Sequence, residues 1–544
     1  MSMTNPTRSA SVEAAPQVAR GSLARFTALI GSGTMLSRVL GLLRDIVIAY
    51  LYPKPVSDAF FVAFRLPNML RELLAEGAMN AGFVPVFSDY LARKSRQETE
   101  QLVAVSIGVA VAVLMVVSAL GVVFAPLLIR LITLEFGPAD EQLLLAIRLT
   151  RILFPYILLI GVASLLMAVL NSLQRFFSSS YAPALLNLAM IGGAYGLRER
   201  FDEPVYAMAV GVIIGGVLQI LLQLPFLIRS RIPLRARWDP RHEGVRRVFK
   251  LLVPTFFGQA VREVNIIADT MLAWYLGVGM VSALYFSYRL VHLPLAVFGL
   301  STATALLPMM SRSASSGNLD EMKHTLSLGL RSVFFIMVPA MVGLIVLRTP
   351  IIRLLFEYGE FSSIATANTA YALLFYSLGL FSFAGAKVLT FAFYSVKETR
   401  LPVLVAAAAM VANIILALLL MMPLKQGGLA LASSLSSTIN MVLLWALLKK
   451  RIGRLDMRSI GTAAGKTVVL STSMGVWIYV LYVISSRFAD TAAIWGRLLV
   501  VLLPVSGGAI FYLAAASAMD MEEAQQIRSV WRRRLKRASG PSSR

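Results

Sequence analysis

A chain of 544 residues that is 58% hydrophobic and only 15% charged, with a mean hydropathy of +0.74, exceeds what any soluble core of this length could hide, so a water-soluble fold is excluded and the class is polytopic membrane protein. The lack of cysteine excludes disulfides and thiolate metal sites, and the three histidines (His242, His292 and His324) show no ligand spacing. The net charge of +23 is read as cytoplasmic loop charge, not as a nucleic-acid surface, because it follows the loops.

Residues 1–22 are polar and Ser/Ala-rich, with no cleavable signal peptide, and are expected to form a disordered cytoplasmic tail. Beyond them, fourteen apolar runs are long enough for a bilayer of roughly 30 Å. Their cores are 26–50, 58–88, 103–133, 144–173, 181–197, 205–228, 250–276, 281–310, 326–347, 366–394, 401–422, 427–448, 463–484 and 494–518. Basic residues gather after the even-numbered spans: LARKSR (91–96), Arg175, the long stretch 229–250, Arg312 with Lys323, Lys397 with Arg400, and KKRIGR (449–454). The other side is short or acidic, as in TLEFGPADE (133–141). The positive-inside rule then puts both termini in the cytoplasm, which an even span count requires. The basic end of the chain (WRRRLKR, 531–537) reads as a topology and anionic-lipid anchor, and everything past about residue 520 is expected to be dispensable for transport.

The sequence repeats itself. DAFFVAFRLPNML (58–70) aligns with SALYFSYRLVHLP (282–294), setting Arg65 under Arg289, with aromatics before it, and Leu66 under Leu290. PVFS (85–88) then falls under PMMS (308–311), and LNSLQR (170–175) under FYSVKE (393–398), at nearly the same offset. The expected fold is all-α with 14 transmembrane helices: two pseudo-symmetric six-helix lobes of one orientation (spans 1–6 and 7–12) around a central cavity, plus two C-terminal helices. The corresponding divisions are the tail 1–22, an N-lobe at 23–228, a basic cytoplasmic linker at 229–249, a C-lobe at 250–448, spans 13–14 at 449–518 and a basic cytoplasmic tail at 519–544. Such duplicated bundles are the architecture of secondary transporters and flippases.

Charges interrupt the first spans. MLSRVLGLLRD (35–45) carries Arg38, Arg44 and Asp45, span 2 carries Asp58, Arg65, Arg71, Glu72 and Glu76, and span 8 carries Arg289. Each charge at mid-membrane costs roughly 2.5–3.5 kcal/mol on insertion scales. Helical spacing puts Arg38 and Asp45 on one face, and Asp58, Arg65 and Glu72 on another, while Pro67 is expected to break span 2. One reading is internal salt bridges between helices. The other is a hydrated cavity for a multivalent anion, since arginine is the only base present and its fork suits phosphate. GTAAGKT (461–467) is one residue short of a phosphate-binding loop and follows no strand, so energy is expected from an ion gradient or the membrane potential.

SRVLGLLRD (37–45), DAFFVAFRLPNMLRELLAEGA (58–78), FVPVFSDY (83–90) and YRLVHLPLAVFG (288–299) closely resemble the MurJ/MviN lipid II flippases of the multidrug/oligosaccharidyl-lipid/polysaccharide exporter superfamily. The resemblance implies a transporter, not an enzyme, in the bacterial cytoplasmic (inner) membrane. It implies that undecaprenyl-pyrophosphate disaccharide-pentapeptide moves from the cytoplasmic to the outer leaflet by alternating access in peptidoglycan synthesis. Partners would be lipid II, membrane lipids and cell-wall synthesis proteins, with no nucleic acid. Arg38, Arg44, Asp45, Asp58, Arg71, Glu76 and Arg289 would form the substrate site, the arginines holding pyrophosphate, and the last two helices a groove for the lipid tail; Arg65, charged within span 2 and matched by Arg289 in the repeat, is counted with them. A coupling monovalent cation (Na+ or H+) would be the one cofactor, with Asp269, Asn413 and Thr438 as candidate sodium ligands. Two departures stand out: Glu72 where the family often has a base, and His292 where it has an acid. The alternatives are a flippase for another polyprenyl-pyrophosphate-linked polysaccharide and a membrane enzyme acting on lipid-linked sugars. An enzyme would need a loop carboxylate, from Glu135, Asp140 and Glu141 or from Glu357 and Glu360.

Overall fold

The computed structural model describes residues 16–525, apart from 74–78, 233 and 454–456, and contains no strand among them. The helices follow the apolar runs in order. The first twelve are α1 (Pro16–Leu51), α2 (Lys54–Arg71), α3 (Met79–Arg93), α4 (Arg96–Val123), α5 (Ala125–Thr133), α6 (Glu141–Leu153), α7 (Tyr156–Ser172), α8 (Phe176–Gly196), α9 (Val205–Arg229), α10 (Glu243–Tyr275), α11 (Met280–Pro294) and α12 (Leu300–Ser315). A π-helical turn, Leu295–Gly299, joins the last two. There follow α13 (Leu319–Val346), α14 (Arg348–Leu355), α15 (Ser363–Leu378), α16 (Leu380–Ser395), α17 (Arg400–Ile452), α18 (Met457–Phe488) and α19 (Ile494–Ala518). The chain is an all-helical membrane-spanning protein. By length and composition, eight of the described helical segments suffice to cross a membrane, and the pair α15–α16, bent by 41°, makes a ninth. The charged helices α1 to α3 are not among them, nor are α8 and α10.

Several ends and breaks follow from local chemistry. Ser95 and Glu98 form a reciprocal capping box at the start of α4, and Asp140, Asn318 and Ser362 accept from the first turns of α6, α13 and α15. Each of these residues stands immediately before its helix. If straight, α17 would extend about 80 Å, but Lys425 is non-helical (φ 47, ψ −131) and separates the two expected spans. A Cβ on Gly428 would lie 2.1 Å from the carbonyl oxygen of Leu420, so glycine permits the chain to turn back there. Span 2 departs from expectation: α2 runs through Pro67 to Arg71 and only then changes to a π turn at 72–73. A proline removes one amide donor from the ladder, a loss that membrane helices tolerate when neighbouring groups compensate.

The chain divides into two compact units. The first comprises Met1–Ile48, Val62–Leu131 and Glu135–Ala260; the second comprises Ala49–Phe61, Ile132–Leu134 and Val261–Arg544. The division falls inside α10, which is continuous through the expected lobe boundary at 250. The basic stretch before α10 lies along α4, where the Arg237 amide donates to the Ala104 carbonyl at 3.0 Å. Helix α1 begins at Pro16, within the stretch read as tail. In the first unit, α8 and α9 meet backbone to backbone: a Cβ on Gly193 would lie 2.6 Å from the Ala207 carbonyl oxygen.

In the second unit, α18 and α19 are fastened to α13. Phe335, Leu470, Met474, Ile478, Tyr512 and Ala516 share one apolar cluster, and the Tyr512 hydroxyl donates to the Phe335 carbonyl at 2.9 Å. Just past α19, Glu522 and Glu523 pair with Arg331 of α13 at 2.9 and 2.7 Å. The region after residue 520 therefore carries structure through these two carboxylates.

Candidate functional site

In the first unit, the charges of α1 have different environments. Arg44 is buried, and its Nε and Nη2 donate to Asp45 Oδ1 at 3.0 and 2.6 Å. Its Nη1 donates to Asn187 Oδ1 of α8 at 3.1 Å, and Asn187 Nδ2 returns a bond to the Ser37 carbonyl. Asp45 is fully buried beneath this network. Two guanidinium nitrogens on one carboxylate oxygen, with a third on the Asn187 amide, satisfy a buried guanidinium and tie α1 to α8. Arg38, two turns earlier, is half-buried and has no partner among the described residues.

On α2, Arg65 is half-buried. Arg71 Nε donates to Asn68 Oδ1 at 3.0 Å and Arg71 Nη2 lies 3.6 Å from Glu72, which also accepts from Asn68 Nδ2 at 3.0 Å. Glu72 thus offsets the charge of Arg71 on its own helix. Glu76 lies outside the described residues. The fields of Arg71 and Arg44 reach the buried hydroxyl of Tyr156, which has no hydrogen-bond partner among the described residues. Tyr156 and Asn187 were absent from the sequence-based site. Their one signal was polarity inside an apolar run.

In the second unit, Asp58 is buried at the start of α11. Its carboxylate accepts from the Gly279 amide, from the Ser282 amide at 2.8 Å and from the Ser282 hydroxyl. An anion over exposed amides at a helix N-terminus is a stable placement, and it makes Asp58 a cap for the helix that carries Arg289. One turn after Asp58, Phe61 stacks on Tyr285 with ring centroids 3.9 Å apart. Arg289 is half-buried, and His292 lies against the Tyr288 ring at 4.1 Å. Lys54, ahead of the span, sits 3.8 Å over the Phe361 ring. Burial lowers its ammonium pKa to about 8, against the opposing pull of Asp58 and Glu360.

The candidate sodium ligands separate. Asn413 Nδ2 donates to the hydroxyls of Ser433 and Ser436, both at 3.2 Å, and the Ser433 hydroxyl reaches Asp269 Oδ2 at 3.5 Å. Thr438 instead pairs with Ser382 at 2.9 Å. The cluster is therefore Asp269, Asn413, Ser433 and Ser436, and the buried Asn413 Oδ1 has no hydrogen-bond donor among the described residues. One carboxylate with amide and hydroxyl oxygens is a hard, singly charged donor set that fits a monovalent cation. The described residues hold no cluster of three or more His, Cys, Asp or Glu side chains.

The sequence model of the family described as "Lipid II flippase MurJ" matches residues 47–497. The "Probable lipid II flippase MurJ" of Vibrio cholerae is 39% identical over 425 residues, covering 77% of this chain and 81% of its own. A solved structure, "Lipid II flippase MurJ, inward closed conformation", superposes with a TM-score of 0.76 at 26% identity, over 90% of this chain and 99% of that one. An inward-facing multidrug resistance MATE family transporter of the MOP superfamily shares the fold, with a TM-score of 0.67 at 16% identity over 78% of this chain and 98% of its own. Arg38, Arg44 and Asp45 lie ahead of the family-model match, whereas the second-unit residues fall within it. On this match, which spans most of the chain, the protein belongs to the MurJ lipid II flippase family.

Proposed function

We propose that this chain carries lipid II, the undecaprenyl-pyrophosphate-linked peptidoglycan precursor, from the cytoplasmic to the outer leaflet of a bacterial cytoplasmic membrane. Membership of the MurJ family carries this reading. It also makes the chain a transporter rather than an enzyme, and the MATE-like fold supports alternating access. The Lys/Arg-rich loops after even-numbered spans support both termini in the cytoplasm.

We assign a pyrophosphate contact to Arg38 and keep Arg289 as a separate substrate-site candidate. Arg38 supports this best, as a guanidinium held half-buried in an apolar helix with no partner among the described residues. Arg44 and Asp45 take a positioning role, fixing α1 on α8 through Asn187. Asp58 positions α11, Arg71 is balanced by Glu72, and Arg65 and Glu76 are kept as substrate-site candidates. A monovalent cation held by Asp269, Asn413, Ser433 and Ser436 would supply the coupling free energy.

The experiment is complementation of cells depleted of their own lipid II flippase, with outer-leaflet lipid II measured directly. Wild type should restore it, and Arg38→Ala, normally inserted, should not. Wild type that is inserted yet restores nothing would move the reading to another polyprenyl-pyrophosphate-linked glycan.

A further inference from the structure

A cavity of about 600 Å³ opens in the second unit where α13 meets α14 and passes α18. One part of its wall is apolar, with Val342, Val346 and Val476; the other presents Arg348, Tyr479 and Tyr482. Helix α13 ends at Val346 and its apolar run at Leu347, immediately before Arg348, so the arginine stands at the end of a segment long and apolar enough to cross a membrane, whichever way the chain is oriented. Tyrosine is enriched at that level for its apolar ring and wet hydroxyl.

The polar groups at this end are largely unmatched. Arg348 Nη1 donates to the Ile345 carbonyl at 2.7 Å, and its other guanidinium nitrogens have no partner among the described residues. Neither tyrosine hydroxyl has one, and the two rings lie 6.4 Å apart. Bulk lipid against a flat helix face would need no cavity, and interfacial anchors would not converge on one. A guanidinium fork and two phenols at one end of an apolar-walled space suit a phosphate ester that carries hydrocarbon.

We propose that this cavity binds an anionic glycerophospholipid of the surrounding membrane, with Arg348, Tyr479 and Tyr482 on the phosphate and an acyl chain along Val342, Val346 and Val476. The bound lipid bridges α13 and α18, at the junction that fastens the C-terminal helices. The inference concerns a separate site and does not rest on the flippase reading.

Native mass spectrometry of the purified full chain, offered phosphatidylglycerol or phosphatidylcholine, tests it without any transport assay. Wild type is expected to retain phosphatidylglycerol about fivefold better, the scale of one interfacial cation on an anionic lipid. R348Q should lose this preference, and R348K, which keeps the charge at the α13–α14 junction, should keep most of it. Equal retention of the two lipids by wild type overturns the proposal, as does an undiminished preference in R348Q or its loss in R348K. Displacement of phosphatidylglycerol by an equal concentration of uncharged polyprenol also overturns it, because the cavity would then select a chain and not a headgroup.

Discussion

Asp58 and Ser282 occupy the same position in the two copies of the internal repeat, and their side chains are hydrogen-bonded to each other. One turn on, the next equivalent pair, Phe61 and Tyr285, is stacked. The duplication thus meets itself at matching residues, one supplying a carboxylate and the other the helix start that needs it. Asp58→Ala should leave two buried amides without an acceptor and cost about 2–4 kcal/mol. Thermal unfolding in detergent reads this, and Asp58→Asn, which keeps an acceptor oxygen, should cost less.

The contrast between Arg38 and Arg44 separates substrate contact from positioning. Asn187→Ala removes the acceptor of Arg44 Nη1 and should destabilise the protein by about 1–3 kcal/mol. Arg38→Ala should change stability by no more than about 0.5 kcal/mol and still abolish appearance of lipid II in the outer leaflet. Melting curves and flipping assays on both variants should show opposite patterns.

Lys54 gives a pH dependence with a definite sign. Its pKa falls from 10.5 to about 8 on folding, so between these values the unfolded chain binds more protons and stability rises with pH. The rise should amount to at most about 3 kcal/mol. Melting temperatures of wild type should therefore increase relative to those of Lys54→Met from pH 8 upward, and the two curves should run parallel below it.

Cutting the chain after residue 520 removes both carboxylates from Arg331. Leaving a largely buried guanidinium with the Ser459 hydroxyl but neither carboxylate should cost up to about 3 kcal/mol. Arg331→Met in the shorter protein should recover much of the loss, as read by thermal unfolding.

Sodium should stabilise the protein against heat more than potassium does at equal ionic strength, by RT ln(1 + [L]/Kd), about 2.7 kcal/mol at a hundredfold excess over Kd. Asn413→Ala and Asp269→Asn should abolish the difference. Thr438→Ala should keep it, because Thr438 bonds to Ser382 and Ser434 outside the cluster.

What the sequence shows and what it hides divide by range. Apolar runs and the repeat are local or periodic signals, and they led to helices in the expected order. The charges of α1 and α2 were visible as residues out of place, but not their partners. Arg44 and Asp45 are adjacent, and helical spacing alone does not make neighbours face each other; a long guanidinium bends back across the gap once Asn187, 143 residues away, fixes its other edge. Thr438 was chosen by residue type, while the fold delivers Ser433 and Ser436 to Asn413. Nothing near residue 331 points to the glutamates that follow α19, because such pairing depends only on how helices assemble.

The cap on α11 also has a history in time. Gly279 leaves the ribosome 221 residues after Asp58, a delay of roughly 10–45 s at ordinary bacterial elongation rates. Until then the carboxylate of a newly inserted α2 has no helix terminus to satisfy, and it must hold water or a proton at the membrane edge. Biogenesis of this protein therefore includes a period in which its second span is lodged but unfinished, and it ends only when the second copy of the repeat arrives.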